Sequence, residues 1–246
     1  MTEAEWLSCT DLMPMLELLR GRASDRKLRL FAAACCRRIW HRVPDLRSRQ
    51  AIEISECFIE GEASVEELEG VRRDAEAAQT NARQHSRCDA GEYAVIALAS
   101  APEWRPDSWP CVYSVADRAA SAAARFAELA GKNRKARKLN WVRGMRDEQA
   151  VQCILLRDIF GYPLRPARPI GSTMLAWNER TVVRLAQRIY VERPLPDGTL
   201  DTTRLAILAD ALEEAGCPNE EVLSHCRSSN NHVRGCWVID QILGKD

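Results

Sequence analysis

Across residues 27–40, Leu28, Phe31, Cys35 and Ile39 recur at i, i+3, i+7 and i+11, the spacing of one face of an α-helix. Ser24 or Asp25 stands where a cap is needed. Ser64 and Glu67 form an S-x-x-E capping box ahead of a polar, alanine-rich helix that runs to about residue 84. With few large apolar residues to bury, that helix is expected on the surface. Residues 93–99 and 115–129 predict two further helices, the second rich in alanine and suited to close packing.

The same period returns in the second half. Val151, Ile154, Leu155 and Ile159 predict a helix over 147–160, with Gly161 and Pro163 as its stop. Asn178 is placed to cap a helix over 179–190. Leu205, Leu208, Ala209 and Leu212 build another face that ends at Gly216, and Asn219 caps a short helix to about residue 227. A last helix over 233–243 stops at Gly244. Alternating apolar and polar residues are nearly absent, and no Asn-Gly hairpin turn occurs. The expected fold is all-α, a multi-helix bundle or irregular helical array of about nine or ten helices.

Two stretches interrupt this pattern. Residues 103–111 hold Trp104, Trp109, Pro106 and Pro110 and predict an ordered loop over a core edge. Pro163, Pro166 and Pro169 stand three apart, which suits a polyproline II connector. That connector, 162–177, is expected to separate an N-terminal bundle (1–161) from a C-terminal helical subdomain (178–246).

Composition narrows the class. A chain of 246 residues with 46% hydrophobic and 28% charged residues has the mixture of a globular protein. Thirty-five basic and thirty-five acidic residues cancel, so binding to nucleic acid or an anionic membrane would need a local patch. The N-terminus lacks a basic segment followed by an apolar one, and no apolar run approaches membrane length. A cytoplasmic protein without a membrane partner is expected. Ten cysteines then read as reduced thiols, several of them on apolar helix faces where they act as small hydrophobes.

Three groups of residues carry candidate chemistry. Cys217, Cys226, His232 and Cys236, with His225 nearby, offer soft and borderline donors for zinc. On a helix, His232 and Cys236 would project from one face. The alternative is packing, with Cys217 following a glycine cap and Cys236 beside Trp237. Cys35, Cys36 and His41 form a second group. There, the apolar position of Cys35 late in its helix points to core and Cys36 to the boundary, since a helix C-terminus raises a thiol pKa. His85 and Cys88 form a third pair, three apart, for which exposed loop polarity is the simpler account.

The run 132–146 contains Lys132, Arg134, Lys135, Arg137, Lys138, Arg143 and Arg146 without an acid, and Trp141 lies among them. Cations neutralise phosphates and an indole can stack on a base, a composition that fits nucleic acid. A solvated linker is the competing reading. No G-x-S-x-G, H-E-x-x-H, P-loop or Rossmann glycine pattern is present. The remaining Trp residues are spread through the chain, as core anchors are.

Residues 1–7 (MTEAEWL), 25–40 (DRKLRLFAAACCRRIW), 155–166 (LLRDIFGYPLRP) and 232–245 (HVRGCWVIDQILGK) together resemble a large paralogous family of planctomycete proteins. The segment LAILADALEEAGC is similar to a short module that accompanies repeats in those bacteria. The resemblance implies a helical fold and, through the module's company with repeats, protein interaction. The functional expectation is therefore a non-enzymatic protein-interaction or adaptor module. Nucleic-acid binding through 132–146 and a metal- or thiol-dependent role of the C-terminal Cys/His group are the alternatives.

Overall fold

The structure is a computed structural model that describes residues 1–84, 95, 98, 109–165 and 169–245. Within these residues lie eleven α-helices and no strand, only an isolated bridge between Thr199 and Val233. In chain order the helices are α1 (Glu3–Ser8), α2 (Leu12–Leu19), α3 (Asp25–Arg38), α4 (Leu46–Ile59), α5 (Val65–Gln84) and α6 (Trp109–Leu129). They continue with α7 (Arg134–Phe160), α8 (Ser172–Val191), α9 (Thr202–Glu214), α10 (Glu220–Cys226) and α11 (Trp237–Leu243). None is long and apolar enough to cross a membrane. His85, Cys88, most of the helix expected at 93–99 and residues 103–108 of the expected loop lie outside the described residues.

Side-chain caps set several starts. Ser24 accepts the Lys27 amide ahead of α3, and Ser64 and Glu67 make the reciprocal bonds of the capping box ahead of α5. Asp201 caps α9 and Asn219 caps α10. Several elements differ from the sequence reading: α6 begins at Trp109 and not at 115, which makes residues 109–111 of the expected loop helical, and three further differences bear on the sites. First, α7 begins at Arg134 rather than 147, because Asn133 accepts the Ala136 amide and no proline follows. The basic run is thus helical and not a linker. Second, α8 starts at Ser172 and is broken at Trp177–Arg180. Asn178, Glu179 and Arg180 there take positive φ values of 44°, 54° and 64° before the helix resumes. Third, α11 starts at Trp237, so residues 232–236 form a turn and not helix.

The chain divides into two compact units, Met1–Cys153 and Ile154–Asp246. The division falls inside α7, earlier than the proline connector. Helical periodicity runs on through it, so nothing in composition marks the place.

In the first unit α3 packs on α4 and α6, and α4 on α5. Trp6, Met15, Leu16, Phe31, Cys35 and Ile52 are fully buried in its core. Cys36, expected at the boundary, is fully buried as well, and burial pushes the thiol pKa of both cysteines up. Two bidentate arginine–carboxylate pairs tie the helices together. The buried Arg37 holds Glu56 of α4 at 3.2 and 2.7 Å, and Arg38 holds Glu148 of α7 at 2.6 and 2.9 Å.

Gly144 of α7 lets that helix approach α6. A Cβ there would lie 2.9 Å from the Ala124 Cα, a backbone atom that cannot swing aside. Gly144→Ala is expected to cost about 1–3 kcal/mol through overpacking. Gly70 in α5 faces open space, so Gly70→Ala is expected to stabilise by about 0.5–1 kcal/mol. Urea denaturation of the two variants reads the opposite signs.

In the second unit α8 packs on α9 and α11, and α9 on α10. Val182, Ile189, Leu205, Leu208, Leu212 and Val238 form its core.

Candidate metal centre

Four segments converge in the C-terminal unit. Asp158 is on the last turn of α7, His225 on the last turn of α10, His232 in the turn before α11, and Cys236 is the residue that caps α11. One oxygen of Asp158, one nitrogen of each histidine and the Cys236 Sγ all lie within 4.8 Å of one another. Asp158, His232 and Cys236 are buried, and His225 is nearly so.

Local structure accounts for each position. Gly161 ends α7 with φ of +57°, and a Cβ there would stand 3.4 Å from the Trp237 indole. The positive φ is what favours glycine here, and the Trp237 indole packs against this corner and in turn fixes His225. Its Nε1 donates to His225 Nδ1 at 3.2 Å. The turn 232–236 is held by its backbone: Val233 N donates to Asp158 Oδ2 at 2.8 Å, and the Leu200 amide donates to the His232 carbonyl at 2.7 Å. A buried aspartate thus anchors a loop distant in sequence.

The hydrogen-bond partners define the protons. Since Trp237 donates to Nδ1 of His225, the ring proton sits on Nε2. It faces Asp158 Oδ1 at 3.2 Å and Cys236 Sγ at 3.1 Å. His232 Nδ1 lies 2.6 Å from Asp158 Oδ1, and its Nε2 meets Ser228 Oγ at 3.1 Å. Burial alone would raise the Asp158 pKa, but hydrogen bonds from His225 and His232 and the charge of His232 outweigh it and lower the pKa. Burial likewise opposes a charged His232, yet its bond to Asp158 and that residue's charge raise its pKa. Asp158 and His232 therefore form a buried ion pair. Cys236 is a thiol in this arrangement: burial and the Asp158 charge push its pKa up, against the pull of the Ile239 and Val238 amides.

Of the residues singled out from sequence, His232 and Cys236 meet, although not through one helix face. They are brought together by the turn. Cys217 and Cys226 are buried close by but lie outside this donor set. Burial, followed by the charge of Asp158, raises the Cys226 thiol to about 12. Two donors complete the set instead. His225 was noted in the sequence as a neighbour, and Asp158 was missed, because an acid in an amphipathic helix reads as a solvent-facing charge. Its position amid apolar residues, in LLRDIF, was the available signal.

No family model matches the chain, and neither a curated protein nor a solved structure matches it. The chemistry of the donors is the remaining guide. A tetrahedral zinc site has metal–ligand bonds of about 2.0–2.3 Å, which places its ligand atoms roughly 3.3–3.7 Å apart. Three of the donor pairs stand at 2.6–3.2 Å and all lie within 4.8 Å, so the donors move by up to about an ångström to reach that geometry.

Proposed function

We propose that the C-terminal unit binds one divalent ion of the zinc class through Asp158 Oδ1, His225 Nε2, His232 Nδ1 and Cys236 Sγ. The observation that carries this reading is the convergence of four chemically suited donors from separate segments on one buried point. Thiolate and imidazole select a borderline metal over magnesium or calcium, which prefer oxygen. Ser228 supports the reading as an outer partner, since it can accept the Nε2 proton of a His232 that ligates through Nδ1.

The charge balance is favourable in both forms. Before loading, Asp158 is an anion and His232 a cation; after loading, an aspartate and a thiolate offset the ion's two charges. Metal binding therefore expels two protons, one from the Cys236 thiol and one from His232. The His225 ring proton moves from Nε2 to Nδ1, where it faces the Trp237 N–H. Two donors then oppose each other, so the indole gives up its bond to His225.

Four protein donors leave no open coordination position, which suits a structural staple and not a hydrolytic centre. A stapled helical unit is in keeping with the non-enzymatic interaction module expected from the sequence.

Titration with cobalt(II) under reducing conditions tests this. Tetrahedral d–d bands with a thiolate charge-transfer band are expected, together with a change in Trp emission that Trp237→Phe removes. Octahedral, water-like cobalt spectra would overturn the proposal.

A further inference from the structure

The basic run lies on the N-terminal half of α7 and shares no residue with the metal ligands, of which Asp158 stands on the last turn of the same helix. Lys132, Arg134, Lys135, Arg137, Lys138, Arg143 and Arg146 are all exposed. Several surface arginines elsewhere find acids: Arg72 pairs with Glu76, Arg125 with Glu128, Arg165 with Glu221, and Arg204 with Glu192. Among the described residues, no acid pairs with Arg134, Lys135, Lys138, Arg143 or Arg146. Leu139 and Val142 are also exposed, at 61% and 41%.

The arrangement around the helix axis is informative. At 3.6 residues per turn, Lys138 and Arg143 fall about 140° apart, with Val142 and Leu139 between them. Lys135 and Arg146 close the two ends of the same face, roughly 16 Å apart along the axis. Cations thus surround an apolar centre. The opposite side of α7, at Gly144, is pressed against α6.

We infer that this face of α7 docks in the major groove of duplex DNA. The groove of B-form DNA is wide enough for one helix, with phosphates along both walls and base edges, thymine methyl groups among them, on its floor. Flanking and terminal cations meet the walls, and Leu139 and Val142 meet the floor. Single strands are bound by concave channels with stacking aromatics, whereas this surface is a convex helix and Trp141 is half-buried. The major groove of A-form RNA is too narrow and deep for side chains to read.

Fluorescence anisotropy with a labelled duplex of about 20 base pairs tests the inference across a sodium chloride series. Four or so phosphate contacts predict log affinity falling with log salt at a slope of about −4. The Lys138→Glu/Arg143→Glu double variant is expected to bind at least tenfold more weakly with a shallower slope, and Arg125→Glu to bind as the parent does. All three positions are exposed, so circular dichroism should find each variant folded. Several results would overturn the inference: no binding at low salt, binding indifferent to the double variant, or preference for single strands or anionic vesicles. Since no residue is shared with the metal centre, the outcome is independent of metal content.

Discussion

Asp158→Ala is expected to destabilise the metal-free protein by about 3–5 kcal/mol near pH 6, the loss typical when one partner of a buried ion pair is removed. The carboxylate accepts from His232 Nδ1, faces His225 Nε2 and holds the Val233 amide, and it is buried. Deleting it strands a buried imidazolium and an unpaired backbone N–H. Asp210, by contrast, pairs with Arg227 on the open surface, and Asp210→Ala is expected to cost less than about 1 kcal/mol. Urea denaturation of both variants in chelator reads the difference. Equal, small losses would mean that Asp158 does not anchor the turn.

The pH dependence of the pair has a definite sign. The folded-state pKa of His232 is raised, so its contribution is complete below the unfolded value of about 6.5 and fades as pH rises through the folded one. The folded-state pKa of Asp158 is lowered, so its contribution is complete above about 3.9 and fades as pH falls through the folded one. The metal-free unit is accordingly best held between those limits.

Metal loading is expected to reverse the alkaline half of that profile. An ion that binds only the folded form adds about 4 kcal/mol when present at a thousand times its Kd. Because loading expels two protons while His232 is charged, affinity rises steeply with pH and then less steeply once His232 is neutral. Thermal melts from about pH 6 to 9, with zinc or with chelator, should therefore diverge as pH increases. Calorimetry in buffers of different ionisation enthalpy should count about two protons per ion at the acid end. Parallel melting curves would deny the coupling.

Helices α3 and α5–α11 were legible at least in part, with the caps Ser24, Ser64 and Asn219, because their signals are local; α1, α2 and α4, capped by Thr2, Asp11 and Asp45, were not read. Ser24, Ser64 with Glu67, and Asn219 each act on an amide within three residues. The early start of α7 was not legible, since a run of lysine and arginine carries no apolar stripe, although these residues form helix readily. Half of the metal centre was readable, because Cys236 and His232 are unusual residues close in sequence. Asp158 lies far from both; its setting among apolar residues in LLRDIF hints at burial, but a single aspartate offers no periodic signal and packing is what shows its partners. The turn at 232–236 mattered in the same way: its anchor, the Val233 bond to Asp158, crosses from one segment to another and leaves no trace in either.

Elemental analysis of protein purified under reducing conditions without chelator tests the central claim most directly. The metal centre predicts about one zinc-class ion per chain in the parent protein, and its loss from folded Cys236→Ser and His232→Asn variants. A parent protein that carries no stoichiometric ion and takes none up when zinc is added would contradict it.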